Sequence, residues 1–527
     1  MHTPQSAGTG MTSSDQVARH ARKIPDAVAL RFGEDGRTYR ELDERLSRLA
    51  NALLARGVRP GDRVAVLGLN GLEVAEAYHA CGRIGAICVP INFRLVADEV
   101  AYALTDSGAA AVVVDAPLAP VLGKAREQAD VRTCLVVGED ATAAGPGAER
   151  YEDVLAAAGP EHPGIDVDER SPAYIMYTSG TTGRPKGAVL THHNLLLHSF
   201  SMMAHLGTPV GERVGISGAP LFHIAGVSGM LPNLLLGGKT VLSRSGRFDP
   251  AEIVDVLERE RVSDCFFVPA QWQAICAVPG VAERDLSALH RISWGAAPAS
   301  TTLLRTMIDT FPQAQVVTSF GQTECSPVTT LLRGEDALRK IGSVGTPMLN
   351  VEVRVVDVAM NDVPRGEVGE IVYRGPTVMR EYWGKPAETA DAFEGGWFHS
   401  GDLVREDEDG YYYVVDRKKD MIISGGENIY CAEVEDVLAG HPKVAEVALI
   451  GVPDEKWGET PLAVLVARDP ADPPTPQDVE RYCREHLAGY KRPRHVTILP
   501  ELPRNPSGKV LKTRLRADRE AGDLPDA

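Results

Sequence analysis

Residues 177–187 read YTSGTTGRPKG. Eleven residues supply five side-chain hydroxyls (Tyr177, Thr178, Ser179, Thr181, Thr182), three glycines (Gly180, Gly183, Gly187) and one lysine, Lys186. Glycine lets the backbone approach a ligand closely, and successive N–H groups form a nest for anions. Hydroxyls and an ammonium group add donors, so a polyphosphate is the natural guest. A Walker A loop requires G-x-x-x-x-G-K-[ST]. Counted from Gly180, this stretch has Pro185 where the second glycine belongs, and Gly187 follows Lys186 where Ser or Thr is needed. The P-loop reading fails at both positions. A solvated Ser/Thr/Gly linker of the same composition is the bland alternative, and the rest of the chain decides between them.

On either side of the loop, short apolar runs alternate with helical patterns. RVAVLGLN (63–70) and AAVVVDA (110–116) read as buried strands, and YRELDERLSRLANALLARG (39–57) has helical spacing that stops at a glycine. After the loop the alternation resumes: KTVLSR, SDCFFVP and QVVTSF are strand-like, whereas PAEIVDVLERERV and STTLLRTMIDTF are helical. Such alternation predicts a layered α/β architecture. From about residue 350 short strands separated by Gly, Pro and Asp predict a β-rich subdomain up to residue 418. The charged knot DRKKD (416–420) follows, then an α+β stretch. The expected organisation is a leader (1–12), a large N-terminal domain (13–418) of layered α/β subdomains plus the β subdomain, and a small mobile α+β C-terminal domain (419–527).

The bulk numbers bound the function. A chain of 527 residues is too long for one core. Its formal charge of −17 disfavours nucleic acid and anionic membranes as partners, the best basic patch being the short YKRPRHV near residue 490. No run of about 18 apolar residues predicts a transmembrane segment. The polar start MHTPQSAGTGMT reads as a disordered leader and not as a signal peptide. Eight cysteines show no C-x-x-C pair or metal spacing. Most, such as Cys88, Cys134 and Cys265, sit in apolar runs as expected of buried thiols, and a reducing cytoplasmic setting is the simplest.

Three further stretches suit a nucleotide. SFGQTEC (319–325) offers Phe320 to stack on a base, Thr323 to bond a phosphate and Glu324 to hold Mg2+ bridging phosphates. GWFHSGDL (396–403) sets Asp402 on a turn where a carboxylate accepts both hydroxyls of a ribose, although a turn cap would look the same. RNPSGKVLK (504–512) exposes Lys509 near the chain end. Each alone has a bland reading as a surface charge; together, and in this order, they point to one nucleotide-handling site.

This set resembles the adenylate-forming superfamily: acyl- and aryl-CoA synthetases, firefly luciferase and nonribosomal adenylation domains. The resemblance runs from about residue 14 to 516. It implies that Thr178, Ser179, Gly180, Thr181, Thr182, Gly183 and Lys186 form the phosphate loop, with Thr182 beside Glu324 at the metal. GAAP (Gly295, Ala296, Ala297, Pro298) resembles the segment lining the adenine, and Phe320, Gly321, Thr323 and Glu324 the adenine-stacking and magnesium segment. Asp402 and Arg417 correspond to the ribose contacts, Lys419 to the interdomain hinge and Lys509 to the adenylation lysine. Ser424, Gly425, Gly426 and Glu427 resemble the loop beside the pantetheine tunnel, and Lys491 is placed to meet CoA phosphates or an acidic carrier protein.

Departures narrow the reading. Phe320 stands where the family often has tyrosine, which keeps stacking and loses a hydroxyl. His223, in LFHIAG (221–226), stands where amino-acid-activating domains usually carry an aspartate for the substrate amine, so a simple carboxylic acid is expected. His223 reads either as a gate to the carboxylate pocket or as a satisfied histidine at its edge. The expected acyl pocket takes Ile224, Ala225, Gly226, Trp272, Trp294, Ser326 and Pro327, with a strand-end core tryptophan as the alternative for Trp294. These walls lack a cation for a second carboxylate, leaving fatty and aromatic acids. The implied reaction is ATP- and Mg2+-dependent adenylation of the acid, then thioester formation with CoA. An acyl-carrier protein as acceptor, a luciferase-like oxygenase and a non-catalytic acyl or nucleotide sensor are the competing readings. Retention of both Glu324 and Lys509 speaks against the sensor.

Overall fold

The computed structural model describes residues 10–178, 184–208, 213–246, 248–297, 299–425, 427–504 and 510–524. The chain forms two compact units, Met1–Glu352 with Tyr373–Phe398, and Val353–Val372 with His399–Ala527. The cut expected at residue 418 thus falls inside the second unit, which also takes in most of the β-rich stretch.

Two sheets organise the first unit. The nine-stranded sheet has the order Thr346–Pro347, Val328–Leu332, Gln315–Gly321, Arg291–Gly295, Asp264–Phe266, Val214–Ser217, Lys239–Leu242, Val28–Phe32, Asp35–Thr38. Its middle strands run parallel and its outer strands antiparallel. In the eight-stranded sheet, strands Ile87–Ile91, Arg63–Leu67, Ala109–Asp115 and Thr133–Val137 pair in parallel, and antiparallel strands close one edge only. Parallel strands are covered on both faces, which is why they read as unbroken apolar runs. Ala65, Leu67, Val89, Val112, Val114, Cys134 and Val136 lie in one buried cluster.

Local chemistry sets the helix limits. Thr38 and Glu41 form a reciprocal capping box at the start of Tyr39–Ala55. Leu42, Leu46, Leu49, Ala50 and Leu53 then recur at helical spacing and are fully buried. Asp249 caps Pro250–Arg259, where proline takes the first helical turn without losing a hydrogen bond.

In the second unit, strands Glu427–Ile429, Ile422–Ser424, Gly458–Ala467 and Val444–Asp454 form a sheet that His495–Leu499 joins in parallel. Alternate residues of the long hairpin feed two clusters. Leu449, Ala463 and Leu465 enter one, and Ala448, Ile450, Leu462 and Val464 the other. Strands Phe398–Glu406 and Tyr412–Arg417 pair antiparallel. Asp416 ties this pair to the helix Cys431–Ala439 by accepting the Cys431 N–H.

Seven of the eight cysteines are buried and Cys276 is half-buried; all are free thiols. No helix among the described residues is long and apolar enough to cross a membrane.

Candidate active site

Parallel strands place their loops at one edge, and ligands in open α/β sheets bind outside the carboxyl ends of the strands. In the nine-stranded sheet, Val214–Ser217 leads into LFHIAG, Asp264–Phe266 into VPAQWQ, Arg291–Gly295 into GAAP and Gln315–Gly321 into QTE. The sequence-predicted segments that follow strands of this sheet therefore issue from one edge. Gly295 pairs with Ser319, and a Cβ on Gly295 would lie 2.2 Å from the Ser319 carbonyl oxygen. Only glycine permits that approach. Ala296 takes a left-handed φ of 67° and is exposed, and Ala297 is half-buried. Phe320, Gly321 and Thr323 are half-buried beside them, and Glu324 is buried.

The segment expected to hold phosphates connects the paired strands Pro172–Thr178 and Lys186–Thr191, with Thr178 and Lys186 directly paired. Ser179, Gly180, Thr181, Thr182 and Gly183 lie outside the described residues, as does Pro298. Both ends of the loop are anchored. Tyr177 donates to Asp106 at 2.8 Å, and Tyr102 donates to the Pro185 carbonyl at 3.0 Å. Burial, then the Asp106 charge, pushes the Tyr177 hydroxyl far above its ordinary pKa, so it stays a donor.

Residues 376–385 stitch the loop to the Glu324 segment. Glu381–Tyr382 pairs antiparallel with the strand leaving the loop, Tyr382 opposite Ala188. The Met379 N–H donates to the Glu324 carbonyl at 2.6 Å, and Ser326 Oγ donates to the Thr377 carbonyl at 2.7 Å. The Tyr382 hydroxyl donates to Glu324 Oε1 at 2.8 Å, while Lys186 Nζ lies 5.1 Å from the centre of the Tyr382 ring. Asn194 donates to the Pro376 and Val378 carbonyls. His198 Nε2 accepts the Val328 N–H at 3.1 Å. The sequence reading missed Tyr382, Asn194 and His198; the aromatic pair Tyr382–Trp383 in a polar stretch was the available signal.

His223 is the N-cap of helix Ile224–Leu236, its Nδ1 accepting the Ala225 N–H at 3.3 Å. An accepting Nδ1 puts the proton on Nε2, and burial lowers the ring's pKa, so the neutral tautomer is held. The residues expected in the acyl wall differ in exposure. Trp272 is fully buried, packs edge-on to Phe267 and Phe311 and donates its indole N–H to the Ser293 carbonyl. It is core. Trp294 is 6% exposed in the same cluster, and Ser326 is fully buried with its hydroxyl on Thr377. Ile224 is buried, and Gly226 presses within 2.4 Å of the Pro220 carbonyl at its absent Cβ. Ala225 and Pro327 keep partial exposure.

In the second unit Asp402 and Arg417 face each other across paired strands, with Arg417 Nε 2.6 Å from Asp402 Oδ1. Asp402 is 2% exposed. Lys419 is exposed two residues beyond Arg417. Ser424 is buried, and Gly425 at φ 61° sits against the Trp457 ring. Glu427 is exposed; Gly426 and Lys509 lie outside the described residues. Lys491 Nζ donates to both carboxylate oxygens of Glu433 at 2.6 Å.

Among the described residues no three His, Cys, Asp or Glu side chains gather as a metal cage. A single buried carboxylate such as Glu324 suits Mg2+, which keeps water and binds one or two carboxylates plus substrate phosphates.

Residues 17–383 match the AMP-binding enzyme family, and residues 433–509 match the AMP-binding enzyme C-terminal domain. The chain is 44% identical over 499 residues to feruloyl-CoA synthase of Amycolatopsis sp, covering 94% of this chain and 97% of that protein. It is 39% identical over 488 residues to the long-chain-fatty-acid–CoA ligase FadD13 of Mycobacterium tuberculosis, covering 92% and 93%. The o-succinylbenzoate CoA synthetase of Bacillus subtilis, solved with its acyl-adenylate intermediate OSB-AMP, superposes with a TM-score of 0.85 at 32% identity, covering 95% of this chain and 97% of that one. The chain belongs to the AMP-binding enzyme family, in the acyl- and aryl-CoA synthetase branch of the adenylate-forming superfamily.

Proposed function

We propose that this protein is an AMP-forming carboxylic acid–CoA ligase that adenylates a fatty or aromatic acid and passes the acyl group to CoA. The observation that carries the reading is the edge of the nine-stranded sheet, where Gly295–Ala297, Phe320, Thr323 and Glu324 converge. A carboxylate is a poor acyl donor because its leaving group would be oxide. Attack of its oxygen on the α-phosphorus of ATP gives an acyl-adenylate and pyrophosphate, and AMP is then a good leaving group for thiol attack. The first step joins anions, so catalysis needs donors aimed at phosphoryl oxygens.

In this reading Thr178, Ser179, Thr181, Thr182 and Lys186 cradle the β- and γ-phosphates, and Thr323 touches the α-phosphate. Glu324 would hold Mg2+, which supplies positive charge to the phosphates when bound. Phe320 and Gly295–Pro298 hold the adenine, and Asp402 with Arg417 the ribose. Lys509 bonds the carboxylate oxygen and the α-phosphate, and then leaves as the chain pivots about Lys419 and residues 424–427 take its place. His223 presents Nε2–H, a neutral donor suited to a carboxylate. Half-buried Ala225 and Pro327 are the acyl contacts retained from the expected wall.

The test is purified protein with Mg·ATP, CoA and a pooled panel of fatty and aromatic acids, read by mass spectrometry. One acyl-CoA, formed with AMP and pyrophosphate, confirms the ligase and names its acid. Acyl-adenylate and pyrophosphate without thioester would move the acceptor to a carrier protein. Absence of acyl-adenylate across the panel would overturn the reading.

A further inference from the structure

We infer that Tyr382 is the positioning residue that sets both Glu324 and Lys186 for Mg·ATP, an inference that rests on the function proposed above. One side chain serves two groups through two different parts. Its hydroxyl donates to Glu324 Oε1 at 2.8 Å, and its ring face carries the Lys186 ammonium at 5.1 Å. A carboxylate has about four lone-pair sites, and the Tyr382 hydroxyl takes one of them on Oε1 and so orients the group. Carboxylates that ligate metals are themselves held by such outer partners. The ring, in turn, gives a flexible lysine a defined seat at the mouth of the loop.

Tyr382 is itself held from both sides. Its N–H donates to Thr389 Oγ1 at 3.0 Å, and it lies opposite Ala188, two residues beyond Lys186, on the strand leaving the loop. Trp383 N–H donates to the Gly187 carbonyl at 2.8 Å, and Lys385 pairs with Asp106, which also accepts from Tyr177. Upstream, the Met379 N–H binds the Glu324 backbone. The strap thus touches the main chain of both segments whose side chains Tyr382 holds. A packing tyrosine would need neither the hydroxyl contact nor the ring under a cation.

The two parts separate by mutation. ATP binding is measured calorimetrically with no acid or CoA present, first in EDTA and then over a MgCl2 series. Tyr382→Phe keeps the ring, so ATP affinity in EDTA should stay within about twofold of wild type, whereas the Mg2+ midpoint should rise by about tenfold. Tyr382→Leu should show the same metal shift and also weaken ATP in EDTA by about two- to fivefold. Because Tyr382 acts on the metal through Glu324, adding Tyr382→Phe to Glu324→Gln should move the midpoint no further. A wild-type Mg2+ midpoint in Tyr382→Phe, or equal EDTA affinities for Phe and Leu, overturns the inference. A wild-type protein that shows no Mg2+-dependent ATP binding would instead sink the proposed function.

Discussion

Acidifying the protein from pH 7.5 to 5.0 should destabilise the first unit by about 5 kcal/mol. Three fully or nearly fully buried histidines set the size. Burial lowers His79 and His192 to about 4 and His198 to about 3, from an ordinary 6.5. Each stays neutral in the folded chain while its unfolded counterpart takes a proton below pH 6.5. The unfolded state therefore binds more protons, and stability falls as pH drops from about 6.5 toward 4. At pH 5 each histidine costs about 2 kcal/mol relative to neutral pH. Asp115 works the other way: burial raises it to about 6, so the folded state protonates first and regains about 1 kcal/mol.

The assay is urea unfolding followed by tryptophan fluorescence in a Trp457→Phe background. The four remaining tryptophans, Trp272, Trp294, Trp383 and Trp397, all belong to the first unit. The midpoint should fall by about 1 M or more between the two pH values. His192→Leu removes one titrating ring of similar volume and should cancel about two-fifths of the loss. An unchanged midpoint at pH 5.0, or a His192→Leu variant as acid-sensitive as its parent, would refute the reasoning. Because His198 stays neutral in the folded chain, its acceptance of the Val328 N–H should persist at pH 5.0, and pyrophosphate exchange should fall only in step with global unfolding.

Other perturbations are sharper. Gly321→Ala places a Cβ 2.1 Å from the Pro327 carbonyl oxygen at a φ of 150°; it should cost about 3 kcal/mol or more, read as a lowered melting temperature with reduced pyrophosphate exchange. Asp402→Asn leaves the Arg417 guanidinium without its 2.6 Å counter-charge and should weaken the proposed ribose contact. The KM for ATP should rise by about tenfold with a smaller change in kcat. Lys509→Ala should slow adenylation by about 10²–10³-fold, the loss of one preorganised donor, while thioester formation from supplied acyl-adenylate is largely retained. Lys419→Pro should release pyrophosphate promptly yet make almost no acyl-CoA, and normal thioester formation would count against a pivot there.

Alternating apolar runs and capping residues made most elements legible, because a strand covered on both faces and a capped amphipathic helix each leave a local trace. Motif order likewise located the strand ends that gather Gly295, Phe320 and Glu324. What stayed hidden was non-local. Nothing near Trp272 says that its indole N–H is spent on Ser293, or near Lys491 that Glu433, 58 residues earlier, already holds it. The sequence draws attention to His223, but its duty as a helix cap depends on the exact start of the helix. Tyr382 escaped notice because its partners, Lys186 and Glu324, lie far off in sequence.

The strap around Tyr382 also makes the chain intolerant of changes in length. Successive residues of a strand point to opposite faces. Inserting or deleting one residue between Met379 and Tyr382 would keep Met379 on Glu324 but turn the tyrosine away from Lys186. The turn at Val358–Asn361, whose hydrogen bonds are all local, has no such ruler. Insertions should accumulate there and be absent from residues 379–382.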